Sequence, residues 1–288
     1  MRFLRWLRKP ENPTPPPQQE KKDGAEKGRV ASGIRVGWTT DVGQVRSQNE
    51  DALLILESYQ EGDQSLPPFG FFAVADGMGG HQSGEIASSL AVRSATSYIA
   101  REIYQHALSD AGPSSAQLSL QEALVGAVNQ ANTDVASKVP GGGTTLTCAL
   151  LIGRRAYIGH VGDSRAYLIS NEQLEQLTQD HSLVDRLMAL GELTEEEAAN
   201  HPQKNVLYRA IGQSGGLEVD TCFRTLPNGG RLFLCTDGLW GLLGNERMAE
   251  IIYAVDSPQD ACDALVRAAN EAGGRDNITA ILIELPTT

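Results

Sequence analysis

The chain has 288 residues, 41% of them hydrophobic, which is enough to build the core of one large domain or two ordinary ones. Its 36 acidic and 24 basic side chains give a net charge of -12, and an acidic surface repels phosphate backbones. These values disfavour a general nucleic-acid binder, and no apolar run approaches the roughly 18 residues of a membrane span.

The first thirty residues differ from the rest of the chain. They carry eight basic and four acidic side chains, a net of +4, which leaves -16 on the other 258 residues. Five of the 13 prolines fall between Pro10 and Pro17. This composition predicts a disordered, proline-rich basic tail over 1–30, ahead of a folded domain over 33–286. The opening MRFLRWLR is either a featureless terminus or a basic, apolar patch that contacts a membrane surface or a partner.

The cysteines indicate the redox environment. They are spread through apolar stretches with no C-x-x-C spacing, which argues against both a zinc ribbon and a disulfide framework. The arginines in MRFLRWLR also interrupt the apolar core that a secretory signal requires. We therefore expect a reducing, cytoplasmic location.

Beyond the tail, compact apolar runs alternate with longer helical patterns. Strands are predicted over 34–41, 51–58 and 69–76, helices over 84–108 and 118–139, and further strands over 144–153, 155–163 and 165–171. The strands 231–237 and 277–285 bracket two more helices over 245–255 and 258–273. Short links between strands imply antiparallel pairing, and each pair of helices needs a sheet face to cover. The predicted fold class is α+β, a central β-sandwich of two mainly antiparallel sheets flanked by α-helices.

A different kind of segment, 182–202, lies between the strands. It contains an apolar stripe, then Gly191 as a helix stop, then a capping-box pattern formed by Thr194 and Glu197. These features predict two short helices that form a surface flap beside a functional site.

Four aspartates lie at the ends of predicted strands. Asp76, Asp163 and Asp237 follow strand-like runs, and Asp276 precedes one. A single aspartate beside glycine is typical of a turn. Four carboxylates at strand ends repel one another unless cations lie between them, and oxygen ligands favour Mg²⁺ or Mn²⁺.

Eight motifs carry a family resemblance, in this order: TTDVGQVRSQNEDA, FAVADGMGGHQSGEIAS, GGTTLTCALL, AYIGHVGDSRAYLI, LTQDHSLVDRL, HPQKNVLYRAIG, LCTDGLWGLL and GGRDNITAILI. Together they resemble the PPM-type (type 2C) metal-dependent serine/threonine protein phosphatases, in particular the bacterial branch. The resemblance extends from about Gly33 to Leu285. It implies a flap beside a dinuclear Mn²⁺/Mg²⁺ centre that hydrolyses phosphoserine and phosphothreonine in proteins, among them a serine/threonine kinase.

The resemblance also implies roles for individual residues. Asp76 matches the carboxylate that bridges both metals, and Gly77 matches the position whose backbone carbonyl binds the second. Asp237 and Asp276 match ligands of the first metal. The acidic positions that hold metal-bound waters are matched by Glu50 and Asp51.

Three further features follow from the same resemblance. Asp163, with Asp237, resembles the pair that binds a third, weaker metal, which Asn205 is placed to join. Arg46 matches the arginine that binds the substrate phosphate, and His81 matches the histidine that acts as general acid.

Several alternatives stay open. Asp163 could merely terminate its strand in a turn. The chain could act on one dedicated regulatory phosphoprotein or a small phosphoester, or be a non-catalytic binding module, although every motif aspartate is present. We expect Arg165 to pair with an active-site carboxylate, Trp240 to pack in the core, and His181 to hold the flap entrance. No phosphoenzyme is required, so no cysteine nucleophile is expected, and a Walker A pattern is missing.

Overall fold

Two antiparallel β-sheets packed face to face lie at the centre of the protein, for which a computed structural model describes residues 33–58, 69–79, 82–105 and 119–285. These residues belong to one compact unit, Gly33–Thr288. The predictions for the tail over 1–30 lie outside the described residues. No helix in the described part of the chain is long and apolar enough to cross a membrane.

The sheets are built from eleven described strands. They are β1 Arg35–Asp41, β2 Asp51–Ser58, β3 Phe69–Met78, β4 Gly143–Thr144, β5 Leu146–Ile152, β6 Arg155–Val161, β7 Arg165–Ser170, β8 Gln173–Gln176, β9 Asp220–Thr225, β10 Arg231–Cys235 and β11 Ile278–Glu284. One sheet has the order β1-β11-β10-β7-β8, and the other has the order β2-β3-β5-β6-β9 with β4 paired to β3. The pairs are antiparallel, which confirms the predicted sandwich.

The helices cover the outer faces of the sheets. They are α1 Gln82–Ile99, α2 Leu120–Lys138, α3 Leu183–Ala189, α4 Glu195–Ala199, α5 Asp237–Tyr253 and α6 Pro258–Glu271, and a π-helical turn, Ala100–Tyr104, continues α1. Two helices lie on each outer face, α1 and α2 on the β3 sheet and α5 and α6 on the β11 sheet. The result is a four-layer arrangement of helices, sheet, sheet and helices.

Three apolar clusters hold these layers together. Along β3, Phe72 and Val74 lie between the two sheets, whereas Phe71, Ala73 and Ala75 face α1 and α2. Since both faces of β3 are buried, its sequence is a continuous apolar run rather than an alternating one. A third cluster lies between the other sheet and α5 and α6.

The flap prediction is confirmed in its helices and caps. Ser182 caps α3 by accepting a hydrogen bond from the backbone N–H of Asp185. Thr194 and Glu197 form the predicted capping box at the start of α4. Between them, Gly191 has a φ of 74°, a left-handed conformation that suits glycine at a helix end.

Two expectations about the elements were wrong. Helix α5 begins at Asp237 and includes DGLWGLLG, whereas the apolar pattern had predicted a helix only over 245–255. Gly244, with a φ of 67°, breaks α5 into two helical pieces, which is why no single periodicity covers it. Strands β8 and β9 were not predicted because they are polar edge strands, with alternating partly buried and exposed residues.

Strand β1 packs closely on the first turn of α6. A Cβ atom on Gly37 would clash with the backbone of Pro258 and Gln259, whereas among the described residues nothing outside the local helix lies within 4 Å of a Cβ on Gly241 in α5. Gly37→Ala should therefore lower the free energy of unfolding by about 1–3 kcal/mol through overpacking. Gly241→Ala should raise it by about 0.5–1 kcal/mol through helix propensity. Urea denaturation of both variants measures the difference, and equal effects would contradict the close packing of β1 on α6.

Candidate metal centre

Antiparallel pairing brings three of the predicted aspartates to one end of the β11 sheet. Cys235, the last residue of β10, pairs with Arg165 at the start of β7 and with Ala280 near the start of β11. The segment that follows β10 therefore lies beside the segments that precede β7 and β11. Asp237, Asp163 and Asp276 occupy these connections and line one cavity.

The other sheet contributes the remaining acidic residues. Asp51, at the start of β2, is directly opposite Asp76, near the end of β3. The backbone N–H of Gly77 donates a hydrogen bond to the carbonyl of Glu50. The register of β2 and β3 therefore places the four predicted residues Glu50, Asp51, Asp76 and Gly77 together.

These groups surround a cavity of about 310 Å³ between the ends of the two sheets. Its lining is Arg46, Glu50, Asp76, Gly77, Met78, Gly79, Thr145, Asp163, Asn205, Leu207, Asp237 and Asp276. Eight of the predicted site residues are therefore in one place, including Asn205 from the segment after the flap helices. Asp51 lies behind this lining, and His81 lies outside the described residues, two positions after Gly79.

Asp76 and Asp237 lie close enough that each carboxyl group shifts the pKa of the other. Neighbouring carboxylates repel each other, so this arrangement favours a proton or a cation between them. Burial raises the pKa of Asp76 well above its ordinary value, and the charges of Asp237, Asp51 and Asp163 raise it further. Burial also raises the pKa of Asp237, although its interaction with Asp76 opposes that shift.

Asp163 and Asp51 lie in the same electrostatic environment. Asp163 is 8% exposed, and its pKa is raised by burial first and then by the charge of Asp237. Burial raises the pKa of Asp51 to about 7, against two hydroxyl donors, Thr279 at 2.7 Å and Thr236 at 2.8 Å. The folded protein therefore holds protons in this cluster at pH values where exposed aspartates are ionised.

Arg46 lies at the mouth of the cavity and is half exposed. Its Nη2 donates to Asp276 Oδ2 at 2.7 Å, and the side chain is 51% exposed. The loop that carries Arg46 is held by the buried side chain of Asn277. Its Nδ2 donates to the carbonyls of Val42 and Gln48, and its Oδ1 accepts from the N–H of Glu50.

Buried hydroxyl groups support the carboxylates, and sequence reasoning missed them. Thr145 Oγ1 accepts from the N–H of Asp76 at 2.8 Å and lies 2.7 Å from Ser164 Oγ, next to Asp163 in the chain. Thr145 therefore links the chain segment that carries Asp76 to the segment that carries Asp163. The signal for this role was the run of threonines in GGTTLT, because buried hydroxyls in an apolar strand need partners.

For three residues outside the cavity, the contacts in the structure can be compared with the roles expected from the sequence. Arg165 pairs with Asp180, which does not line the cavity, so the expected ion pair with an active-site carboxylate was wrong. Trp240 packs beside the core as expected, but its indole Nε1 also donates to the carbonyl of Asp163 at 3.0 Å. His181 accepts a hydrogen bond from the N–H of Gly162 at the flap entrance, as predicted.

The spacing Cys-x₅-Arg, which is typical of cysteine-dependent phosphatases, occurs once, from Cys148 to Arg154. The structure does not support a nucleophilic role for this cysteine. Cys148 is fully buried in β5, and burial raises the pKa of its thiol to about 12. A nucleophilic cysteine needs a lowered pKa and access to substrate. Of the intervening residues, 149–152 continue β5 and Gly153 begins the turn to β6, so they do not form a phosphate-binding loop.

The described residues contain no group of three or more His, Cys, Asp or Glu side chains arranged to hold a metal ion by themselves. The cavity is instead lined by five acidic residues, Glu50, Asp76, Asp163, Asp237 and Asp276, which surround open space. This composition suits Mg²⁺-like ions, which are typically bound by one or two carboxylates and keep several waters.

Comparisons with known proteins identify the family. Residues 39–187 match the family described as Protein phosphatase 2C. The chain is 37% identical over 261 residues to the serine/threonine phosphatase stp of Listeria monocytogenes, covering 87% of this chain and 96% of that protein.

Solved structures agree with this match. The S. agalactiae serine/threonine phosphatase aligns with a TM-score of 0.73 and 32% identity, covering 87% of this chain and 98% of that one. The catalytic domain of PstP in complex with two manganese ions aligns with a TM-score of 0.68 and 30% identity, covering 87% and 97%. The chain therefore belongs to the protein phosphatase 2C family of serine/threonine phosphatases.

The raised pKa of Asp51 makes the stability of metal-free protein depend on pH. Below the ordinary value of 3.8 the group is protonated in both states; above it, the folded state keeps a proton that the unfolded state releases. This contribution to stability is therefore lost as the pH rises to about 7. Asp51→Asn should reduce the loss, as measured by melting temperatures in chelator from pH 4 to pH 8.

Asp134→Asn is the matched control for this measurement. The pKa of Asp134 is lowered, chiefly by its hydrogen bond with Lys138, so removal of this carboxylate should cost stability at neutral pH. If Asp51→Asn showed the same pH profile as the wild type, the carboxyl of Asp51 would not be the group that titrates.

Proposed function

We propose that this phosphatase hydrolyses phosphoserine and phosphothreonine in proteins at a dinuclear Mn²⁺ or Mg²⁺ centre, and so opposes serine/threonine kinase signalling. The observation that carries the proposal is the cluster of buried, mutually repelling carboxylates around an open cavity with an arginine at its mouth. The PstP catalytic domain, which has the same fold, was solved with two manganese ions.

The residues of the cavity fit divalent cations. Oδ1 of Asp51 and Oδ1 of Asp237 are buried and have no hydrogen-bond partner among the described residues. A buried carboxylate oxygen without a partner is costly, and a cation or its waters would supply one. The donor set consists of oxygen atoms, as hard cations require.

Two ions would be held by residues from both sheets. Asp76 would bridge them, with Asp237 and Asp276 on the first and the backbone carbonyl of Gly77 on the second. Glu50 and Asp51 would bind the waters that complete both coordination spheres. Asp51 suits this role because it lies behind the lining, opposite Asp76 in the strand register.

A third, weaker ion would lie between Asp163 and Asp237, with Asn205 beside them. All three residues line the same cavity, and the charge of Asp237 raises the pKa of Asp163. With two carboxylates and many waters, this ion should bind more weakly than the other two.

When bound, such ions lower the pKa of a water and neutralise phosphoryl charge. Arg46 binds and orients the phosphate: a guanidinium has five N–H donors, so its bond with Asp276 leaves others for phosphoryl oxygens. His81 gives a proton to the departing seryl or threonyl oxygen. This role for His81 rests on the family resemblance of the motif FAVADGMGGHQSGEIAS, in which His81 follows Gly79 by two residues.

The cellular setting is part of the proposal. The catalytic domain would span 33–286, consistent with relatives that cover 87% of the chain. The four cysteines are free, which suits a reducing cytoplasm. The substrates would be phosphoproteins, among them a serine/threonine kinase, and contact of the tail over 1–30 with a membrane surface or partner is proposed on composition alone.

Removal of one central carboxylate tests the metal centre. Asp76→Asn and Asp237→Asn should abolish Mn²⁺-dependent phosphate release from a phosphothreonine peptide and weaken Mn²⁺ binding, with the fold retained. Asp134→Asn, which changes a carboxylate in α2 that is not part of the cavity lining, is the control. Calorimetry measures Mn²⁺ stoichiometry and affinity, and chelator should remove wild-type activity. Unchanged stoichiometry and affinity in both variants would refute the assignment.

A second test concerns proton donation. An alkoxide needs protonation as it leaves and a nitrophenolate does not, so His81→Gln should slow phosphothreonine peptide hydrolysis by roughly 10²–10⁴-fold and affect p-nitrophenyl phosphate far less. His201→Gln is the control, because the His201 side chain accepts a local hydrogen bond from the N–H of Gln203 and is not part of the cavity lining. Equal losses on both substrates would show that His81 organises the site without donating the proton.

A further inference from the structure

An indole side chain joins the connections that carry Asp163 and Asp237. Trp240 Nε1 donates a hydrogen bond to the backbone carbonyl of Asp163 at 3.0 Å. Trp240 follows Asp237 by three residues in the first helical piece of α5, so the two lie on the same face of the helix. One hydrogen bond therefore ties the backbone of Asp163 to the helical turn that begins at Asp237.

The indole is itself held in place by Arg165. The Arg165 guanidinium carbon lies 3.4 Å from the centroid of the Trp240 ring, in a stacked arrangement. The guanidinium is also held at its edge by Asp180, whose carboxylate accepts hydrogen bonds from Nε at 3.0 Å and from Nη2 at 2.8 Å. The Arg165 side chain is 17% exposed and that of Asp180 is 1% exposed. A guanidinium held this way is a rigid platform for the ring.

Neither member of this Arg165–Trp240 stack lines the cavity. We infer that the stack is a positioning device that sets the separation of Asp163 and Asp237, and thereby the affinity for the third ion. The inference rests on the proposed function, since the third ion is part of that proposal. A site with only two carboxylates depends on their spacing, and residues that orient metal ligands typically contribute about 10–100-fold in affinity.

The effect should be confined to the weakest ion. The connection that carries Asp163 is also joined to Asp76, through Ser164 and Thr145, and that link does not involve Trp240. Asp76 and Asp237 line the same cavity and influence each other directly, with no contribution from Trp240. Loss of the indole N–H should therefore leave the residues of the two tighter ions in place, while the backbone of Asp163 loses its bond to the helix that carries Asp237.

The experiment counts bound Mn²⁺ by the electron paramagnetic resonance of the free ion across a titration of the full chain. Trp240→Phe keeps an aromatic ring for Arg165 to stack on and removes the N–H donor. Arg165→Lys keeps the charge and removes the planar stack. Both variants should keep two tight ions and bind the third about 10–100-fold more weakly. Trp38→Phe, which alters a half-exposed tryptophan on β1, should match the wild type.

Asp163→Ala, measured in the same titration, separates failure of the inference from failure of the third ion. If Asp163→Ala binds Mn²⁺ exactly as the wild type does, the third ion is not at Asp163 and that part of the proposed function fails. If Asp163→Ala loses the weak step while Trp240→Phe and Arg165→Lys retain wild-type affinity, the third ion stands and the positioning role is overturned. Loss of tight and weak ions together in Trp240→Phe also overturns it, because the stack would then be a general structural support.

Discussion

Repulsion between carboxylates that the fold forces together is the constraint on which this structure depends. Asp76 and Asp237 come from different sheets, yet Asp237, Asp51 and Asp163 all lie close enough to raise the pKa of Asp76. A cluster of this kind destabilises the folded state unless protons or cations occupy it. The three apolar clusters, which bind both sheets and four helices, are what make this local cost tolerable.

Neutral groups, and not the carboxylates, fix the geometry of the site. Thr145 accepts a hydrogen bond from the N–H of Asp76, Asn277 holds the loop of Arg46, and Trp240 donates to the carbonyl of Asp163. A neutral donor or acceptor adds no charge to an already crowded cluster. Because these particular bonds are made to backbone atoms, they occupy none of the carboxylate oxygens that line the cavity.

Sequence reasoning predicted the elements with strong apolar patterns and the aspartates at their ends, since strand ends are visible in one dimension. The start of α5 was missed because glycines interrupt its pattern, and β8 and β9 because polar edge strands lack one. The supporting bonds could not be predicted at all: the bond from Thr279 to Asp51 joins residues 228 positions apart. Family resemblance supplied the roles of Arg46 and His81, which no periodicity indicates.

The break at Gly244 has an evolutionary consequence. The first piece of α5 carries Asp237 and Trp240, whereas Met248, Ile251 and Ile252 of the second piece pack on the sheet. An insertion in an unbroken helix rotates everything beyond it by about 100° per residue. The left-handed glycine separates the helical phases of the two pieces. The second piece of α5 can therefore change in length and sequence during evolution, while the turn that carries Asp237 keeps its orientation.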